Sequence, residues 1–207
     1  MMTLQTILSF FGASVVLAVA PGPDNLFVLT QAAAFGRRAG WLVTLGLCTG
    51  LLFHTTAVAL GVAALFQASV LAFALLKVCG AGYLLWLAWG AWRAPAASLG
   101  GGAGALGSGA LYRRGIVMNA TNPKVSLFFL AFLPQFADPA RGPVWLQVIL
   151  LGAVFAVATI LVFGSVAVVA GALGDWLSRH ARAQVLMNRL AALIFAALAA
   201  HLILTRH

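Results

Sequence analysis

The sequence predicts an all-α, polytopic membrane protein: six transmembrane helices arranged as two inverted three-helix repeats, with the first and fourth helices broken. Three observations carry this. The 207 residues are 63% hydrophobic and 7% charged, against about 25% charged in ordinary soluble domains, so the natural solvent is a bilayer. Six apolar runs each reach the roughly 20 residues needed to cross about 30 Å of hydrocarbon. Two of those runs are interrupted by a proline beside a charge, at Pro23–Asp24 and Pro123–Lys124.

The runs cover about residues 4–35 (broken at 21–25), 41–66, 69–92, 113–133, 144–172 and 184–205. The first is expected to stay in the protein. "AVA" at Ala18–Ala20 mimics a cleavage site, but no Lys or Arg precedes it and Pro21 follows it. The chain therefore reads as one transmembrane domain over 1–207: repeat one at 1–92, a cytoplasmic linker at 93–112 rich in Gly, Ala and Ser, and repeat two at 113–207. Basic residues fix the orientation. Arg37, Arg38, Arg93, Arg113, Arg114, Arg179 and Arg182 fall in the odd-numbered loops, and Arg141 and Arg206 on the other side. Seven against two puts the odd loops in the cytoplasm and both termini in the periplasm.

The net charge of +9 is spread as ones and twos between apolar runs, which argues for loop anchors and against nucleic-acid binding. Cys48 and Cys79 lie in apolar runs without metal-ligand spacing, so neither a zinc site nor a disulfide framework is expected. No cofactor is expected. The partners implied are a substrate, protons and the lipid bilayer, and homo-oligomerisation stays open.

Setting Pro23 over Pro123 aligns "PDNLFVL" with "PKVSLFF" and places Asp24 opposite Lys124. Span two opens "WLVTLGLC" and span five "WLQVILLG". An odd number of spans per half forces the halves into opposite orientations, a recurring transporter design with its site at the repeat interface. Proline stops or kinks a helix but is tolerated at the first position of a new one. Gly22 and Asn122 are then the caps of half-helices starting at Pro23 and Pro123. Each fresh N-terminus exposes unpaired N–H groups and about half a positive charge.

Asp24 suits such a terminus and Lys124 opposes it. At bilayer depth either charge costs about 2.5–3.5 kcal/mol. Two readings stand: a buried Asp24–Lys124 pair joining the repeats, or a zwitterion site with Lys124 near the carboxylate and Asp24 near the ammonium. Asn25, Gln31, Asn119, Thr121 and Asn122 add hydrogen-bonding groups. Lys77, eight residues into span three, either snorkels or joins the central charges. His54, beside Thr55 and Thr56, is either a packing residue or a proton relay.

Three blocks, "PGPDNLFVLTQAAAFGRRAG", "LKVCGAGYLLWLAWGAWR" and "GIVMNATNPKVSLFFLAFLPQF", closely resemble those that mark the LysE/RhtB family of amino-acid exporters. The order, the length and the six apolar runs agree, so the resemblance covers nearly the whole chain. It implies a bacterial inner-membrane exporter of amino acids driven by the proton gradient, and not an enzyme. The matching motif residues are Pro21, Gly22, Pro23, Asp24 and Asn25; Lys77, Gly80 and Tyr83; and Asn119, Asn122, Pro123 and Lys124. With Asp24 the only acid inside a span, a small neutral zwitterion is favoured over lysine or arginine. The rival classes are a metal-ion or other cation exporter or channel, which should gather carboxylates or thiolates, and an intramembrane enzyme. The other two acids, Asp138 and Asp175, are expected in loops, so hydrolytic chemistry would lack a partner for Asp24.

Overall fold

The computed structural model describes residues 2–68, 70–96 and 106–204. Every element among them is helical. In chain order they are α1 (Leu4–Val19), α2 (Pro23–Phe35), α3 (Arg37–Ala68), α4 (Val70–Arg93), α5 (Ser108–Ala120), α6 (Pro123–Leu127), α7 (Val144–Arg179) and α8 (Ala181–Leu204). A π-helical turn (Phe128–Phe132) and a 3-10 turn (Leu133–Phe136) continue α6, and a second 3-10 turn (Pro139–Arg141) precedes α7. Three segments are long and apolar enough to cross a membrane: Arg37–Gly61, Val144–Ala170 and Ala181–Leu204. Two more qualify as bent pairs, α1 with α2 at 63° and α5 with the segment Pro123–Phe136 at 46°. The third sequence-predicted run forms the 24-residue helix α4.

Both interruptions fall where the prolines demand them. Pro23 and Pro123 each open a helix, capped by Gly22 and Asn122. The ends of the long runs are less well predicted by hydropathy. Helix α3 begins at Arg37 rather than 41, and α5 begins at Ser108, inside the expected linker. Arg113 and Arg114 are therefore helical and not loop residues. Helix α7 continues to Arg179, so Asp175 lies in its last turns and not in a loop. Residues 97–105 of the linker lie outside the described residues.

Helix α3 packs along α5 and α7, α1 and α2 pack on α7, and α4 packs along α8. The α3–α5 crossing is close: a Cβ on Gly115 would sit 2.5 Å from the Val43 carbonyl oxygen. Small residues let helices in a bilayer meet backbone to backbone, where dispersion and not water exclusion supplies the attraction. Gly36, with φ of 84°, is the single residue joining α2 to α3, a conformation costly to any side chain with a Cβ. Large apolar side chains crowd the periphery, among them Leu60 (74% exposed), Trp86 (63%) and Leu204 (76%). That periphery suits hydrocarbon and not water.

The interior holds two apolar clusters. One is aromatic: Phe128 contacts Phe10, Phe132 and Phe155 at centroid separations of 5.8, 4.8 and 5.5 Å. Phe136 closes on Phe10 at 5.2 Å and on Phe132 at 5.1 Å. The other, around Val28, Val43, Leu47 and Phe163, joins α2, α3 and α7. Ala20, at the break between α1 and α2, belongs to the first cluster.

Candidate functional site

The site is built from four helix ends. Helix α1 stops at Val19, so its last carbonyl groups have no intrahelical partner. Helix α2 restarts at Pro23 after Gly22 in extended conformation. Across the molecule α5 stops at Ala120, and α6 restarts at Pro123. The Asn122 side-chain oxygen accepts from the Lys124 backbone N–H at 3.0 Å, which satisfies one orphan donor of the new helix.

Lys124 supplies what α1 lacks. Its ammonium donates to the carbonyl oxygens of Ala20 at 3.0 Å and Leu17 at 3.2 Å. Asn25 adds a bond from Nδ2 to the Ala18 carbonyl at 2.6 Å. The carbonyl end of α1 carries about half a negative charge, so a buried cation is held there by dipole and hydrogen bonds together. Gly22 makes the approach possible, because a Cβ at that position would stand 3.1 Å from Lys124 Nζ.

This arrangement bears on the two readings left open for Asp24 and Lys124. Asp24 and Lys124 are not an ion pair: the one salt bridge among the described residues joins Arg141 to Asp138, at 3.0 Å on the exposed surface. The lysine engages α1 instead. Both groups are nevertheless buried, at 2% and 6% exposure. The polar and charged groups acting on the Asp24 carboxylate are Asn122, Lys124, Asn119 and His54. Asp24 Oδ1, Asn119 Oδ1 and Asn122 Nδ2 are all buried without a hydrogen bond of good geometry, although the Asn122 and Asn119 side chains stand close enough to Asp24 to act on its carboxylate. Unpaired buried polar atoms are costly, at about 1–3 kcal/mol each, and a cluster of them in one place points to a site that a ligand or a proton completes.

His54 joins the group from α3. Its Nε2 lies 3.0 Å from the Asn119 carbonyl oxygen, and its ring packs against Phe53 and Phe129 at 5.7 Å each. Asp24, Asn119 and Lys124 line a cavity of only about 10 Å³, closed by Leu17, Phe155, Thr159 and Phe163, at the lower limit for one water. The structure thus brings together Gly22, Pro23, Asp24, Asn25, His54, Asn119, Asn122, Pro123 and Lys124. Thr121 is exposed and bonded to its own helix at the Val117 carbonyl, outside the group. Gln31 is buried on α2, with Oε1 unpartnered. Lys77 lies on α4, and its side chain is outside the described residues. No three His, Cys, Asp or Glu side chains come together among the described residues.

Sequence reasoning missed two contributors. Thr159 faces the site from α7, and its only signal was an isolated hydroxyl in an apolar stretch. The backbone oxygens of Leu17 and Ala20 left no signal, since any residue carries a carbonyl.

Comparison with known proteins identifies the family. The family model for the LysE type translocator matches residues 15–206. An uncharacterized membrane protein of Vibrio cholerae is 34% identical over 192 residues, covering 91% of this chain and 90% of that protein. The homoserine/homoserine lactone efflux protein of Salmonella typhimurium is 34% identical over 177 residues, 85% of each chain. The leucine efflux protein of an Enterobacter species is 36% identical over 129 residues, 59% of each. No solved structure matches. With nearly its whole length matched, the chain belongs to the LysE type translocator family.

Proposed function

We propose that the protein exports small neutral amino acids across a bacterial inner membrane, by proton antiport with alternating access. The observation that carries this reading is the pair of buried charges at two facing helix breaks, Asp24 after Gly22 and Lys124 after Asn122. In the proposed cycle Asp24 holds either a proton or the substrate ammonium, Lys124 and the half-helix starts receive the carboxylate, and His54 passes protons toward Asp24. The efflux activities of the Salmonella and Enterobacter relatives support the substrate class. Translocation, not covalent chemistry, is the family's activity.

The proposed architecture is six spans in two inverted repeats, with both termini in the periplasm. Three features support it. The breaks at Pro23 and Pro123 occupy matching places in the two halves. The second helices of the halves, α3 and α7, pair with each other, as do the third, α4 and α8. The first helices of each half lie on the second helix of the other, α5 on α3 and α1 on α7, while α2 packs on both α3 and α7. Such an exchange is what a two-fold axis in the membrane plane would produce.

The test is amino-acid efflux from proteoliposomes driven by a pH gradient, comparing wild type with Asp24→Asn. The variant should lose gradient-driven efflux while retaining exchange of one amino acid for another. Gradient-driven efflux at the wild-type rate would take the proton role away from Asp24.

A further inference from the structure

Beside the charged site lies a second, larger cavity of about 380 Å³. It sits between α2 and α7 on one side and the end of α4 and start of α8 on the other. Its volume falls within the roughly 300–1,000 Å³ typical of small-molecule sites. The wall is largely aliphatic: Leu29 from α2 and Val162 and Val166 from α7, with Met187 from α8 at the more exposed rim. Asn188 and Gln184 stand at the start of α8, where Asn188 donates to the Ala94 carbonyl at 3.2 Å and so ties α8 to the end of α4. No acidic or basic residue is among its described lining residues.

Two residues belong to both places. Asn25 lines the cavity and caps α1. Gly22 lines the cavity and stands within a Cβ's reach of Lys124 Nζ. Gly22, which carries no side chain, therefore stands between the large cavity and the buried ammonium. A molecule with a charged head and an apolar tail could place its carboxylate at that glycine and its tail among the aliphatic residues.

We propose that this cavity receives the side chain of the exported amino acid and selects an aliphatic one of about leucine's size. Leu29, Val162, Val166 and Met187 are then the specificity-determining residues. A cationic side chain would meet no counter-charge among them, and burying an unpaired charge is strongly disfavoured. A hydroxyl-bearing chain such as homoserine's gains less from an aliphatic wall. This inference rests on the reading of the chain as an amino-acid exporter.

Counterflow in proteoliposomes with leucine, homoserine, lysine and phenylalanine tests it. Wild type should take leucine at a half-saturating concentration at least about tenfold below that for homoserine, in keeping with the loss of apolar burial. Val166→Trp, which narrows the cavity, should raise the leucine value tenfold or more and the homoserine value less than threefold. Met187→Ala, on the more exposed rim, enlarges the cavity with little risk to folding and should raise transport of phenylalanine relative to leucine at least threefold. Preference for lysine in wild type, or an unchanged leucine-to-homoserine ratio in Val166→Trp with an unchanged phenylalanine-to-leucine ratio in Met187→Ala, overturns the inference and leaves the exporter reading standing. Absence of counterflow with every amino acid in the wild type removes the exporter reading itself, and the inference with it.

Discussion

Replacing Lys124 by methionine separates the two roles its geometry allows. The ammonium makes two bonds to the carbonyl oxygens of Leu17 and Ala20, at 3.2 and 3.0 Å. Hydrogen bonds to a charged group are worth about 1.5–3 kcal/mol each, so their loss costs about 3–6 kcal/mol. Methionine has a similar reach and removes a buried charge that has no carboxylate within salt-bridge distance. Removing a charge from bilayer depth returns about 2.5–3.5 kcal/mol. At their midpoints the opposing terms leave a net destabilisation of about 1.5 kcal/mol, or about 3–6 °C in a chain of this size. Fluorescence-monitored unfolding in detergent would read that shift, with the six tryptophans as reporters. Counterflow in proteoliposomes would read transport, which should fall by at least about a hundredfold if the lysine contacts the carboxylate in a charge-assisted bond. Transport at the wild-type rate would refute the substrate role. A melting temperature lowered by more than about 15 °C, beyond the shift expected for a chain of this size, with transport by the folded fraction intact, would make Lys124 a structural pin alone.

Three further outcomes follow from the packing. Asn122→Ala removes the cap on the Lys124 backbone N–H and should lower stability by about 1 kcal/mol; Asn122→Asp, which keeps the acceptor, should restore most of it in the same melt. Gly22→Val should impair counterflow more than Gly22→Ala, since the first Cβ already meets Lys124 Nζ at 3.1 Å and each added methyl must displace an ammonium bonded to two carbonyls. Arg141→Ala breaks an ion pair whose side chains are 47% and 48% exposed; it should shift stability by less than about 1 kcal/mol, measured in the same melt.

The parts of this molecule that were legible in the sequence are those set by local chemistry. A proline must start a helix or break one, so Pro23 and Pro123 announced both half-helices and their caps. Hydropathy located the long helices because each must fill the bilayer, but it blurred their ends. Helix α7 runs past the apolar region to Arg179 and carries Asp175 with it, since a helix can extend into water without any hydropathic signature. The aromatic cluster was invisible for another reason. Phe128, Phe132 and Phe136 meet through a π-helical turn and a 3-10 turn, and such local changes of pitch leave no regular period in the sequence. The site residues were identifiable as polar atoms in apolar surroundings. Their pairing was not, because Lys124 chose backbone oxygens over the one carboxylate that sequence could offer it.

That choice has a consequence for how the protein is made. The end of α1 and the atom that completes it are 104 residues apart. At about 5–20 residues per second, the ribosome delivers Lys124 roughly 5–20 s after Ala20. Through that interval the carbonyl groups at the break of the nascent first half have no lysine to engage. A chain truncated before residue 106 should never leave that state and should be degraded, whereas co-synthesis of the missing half should rescue it. The lysine would then act as a checkpoint, marking the translocator as finished only when both halves have arrived.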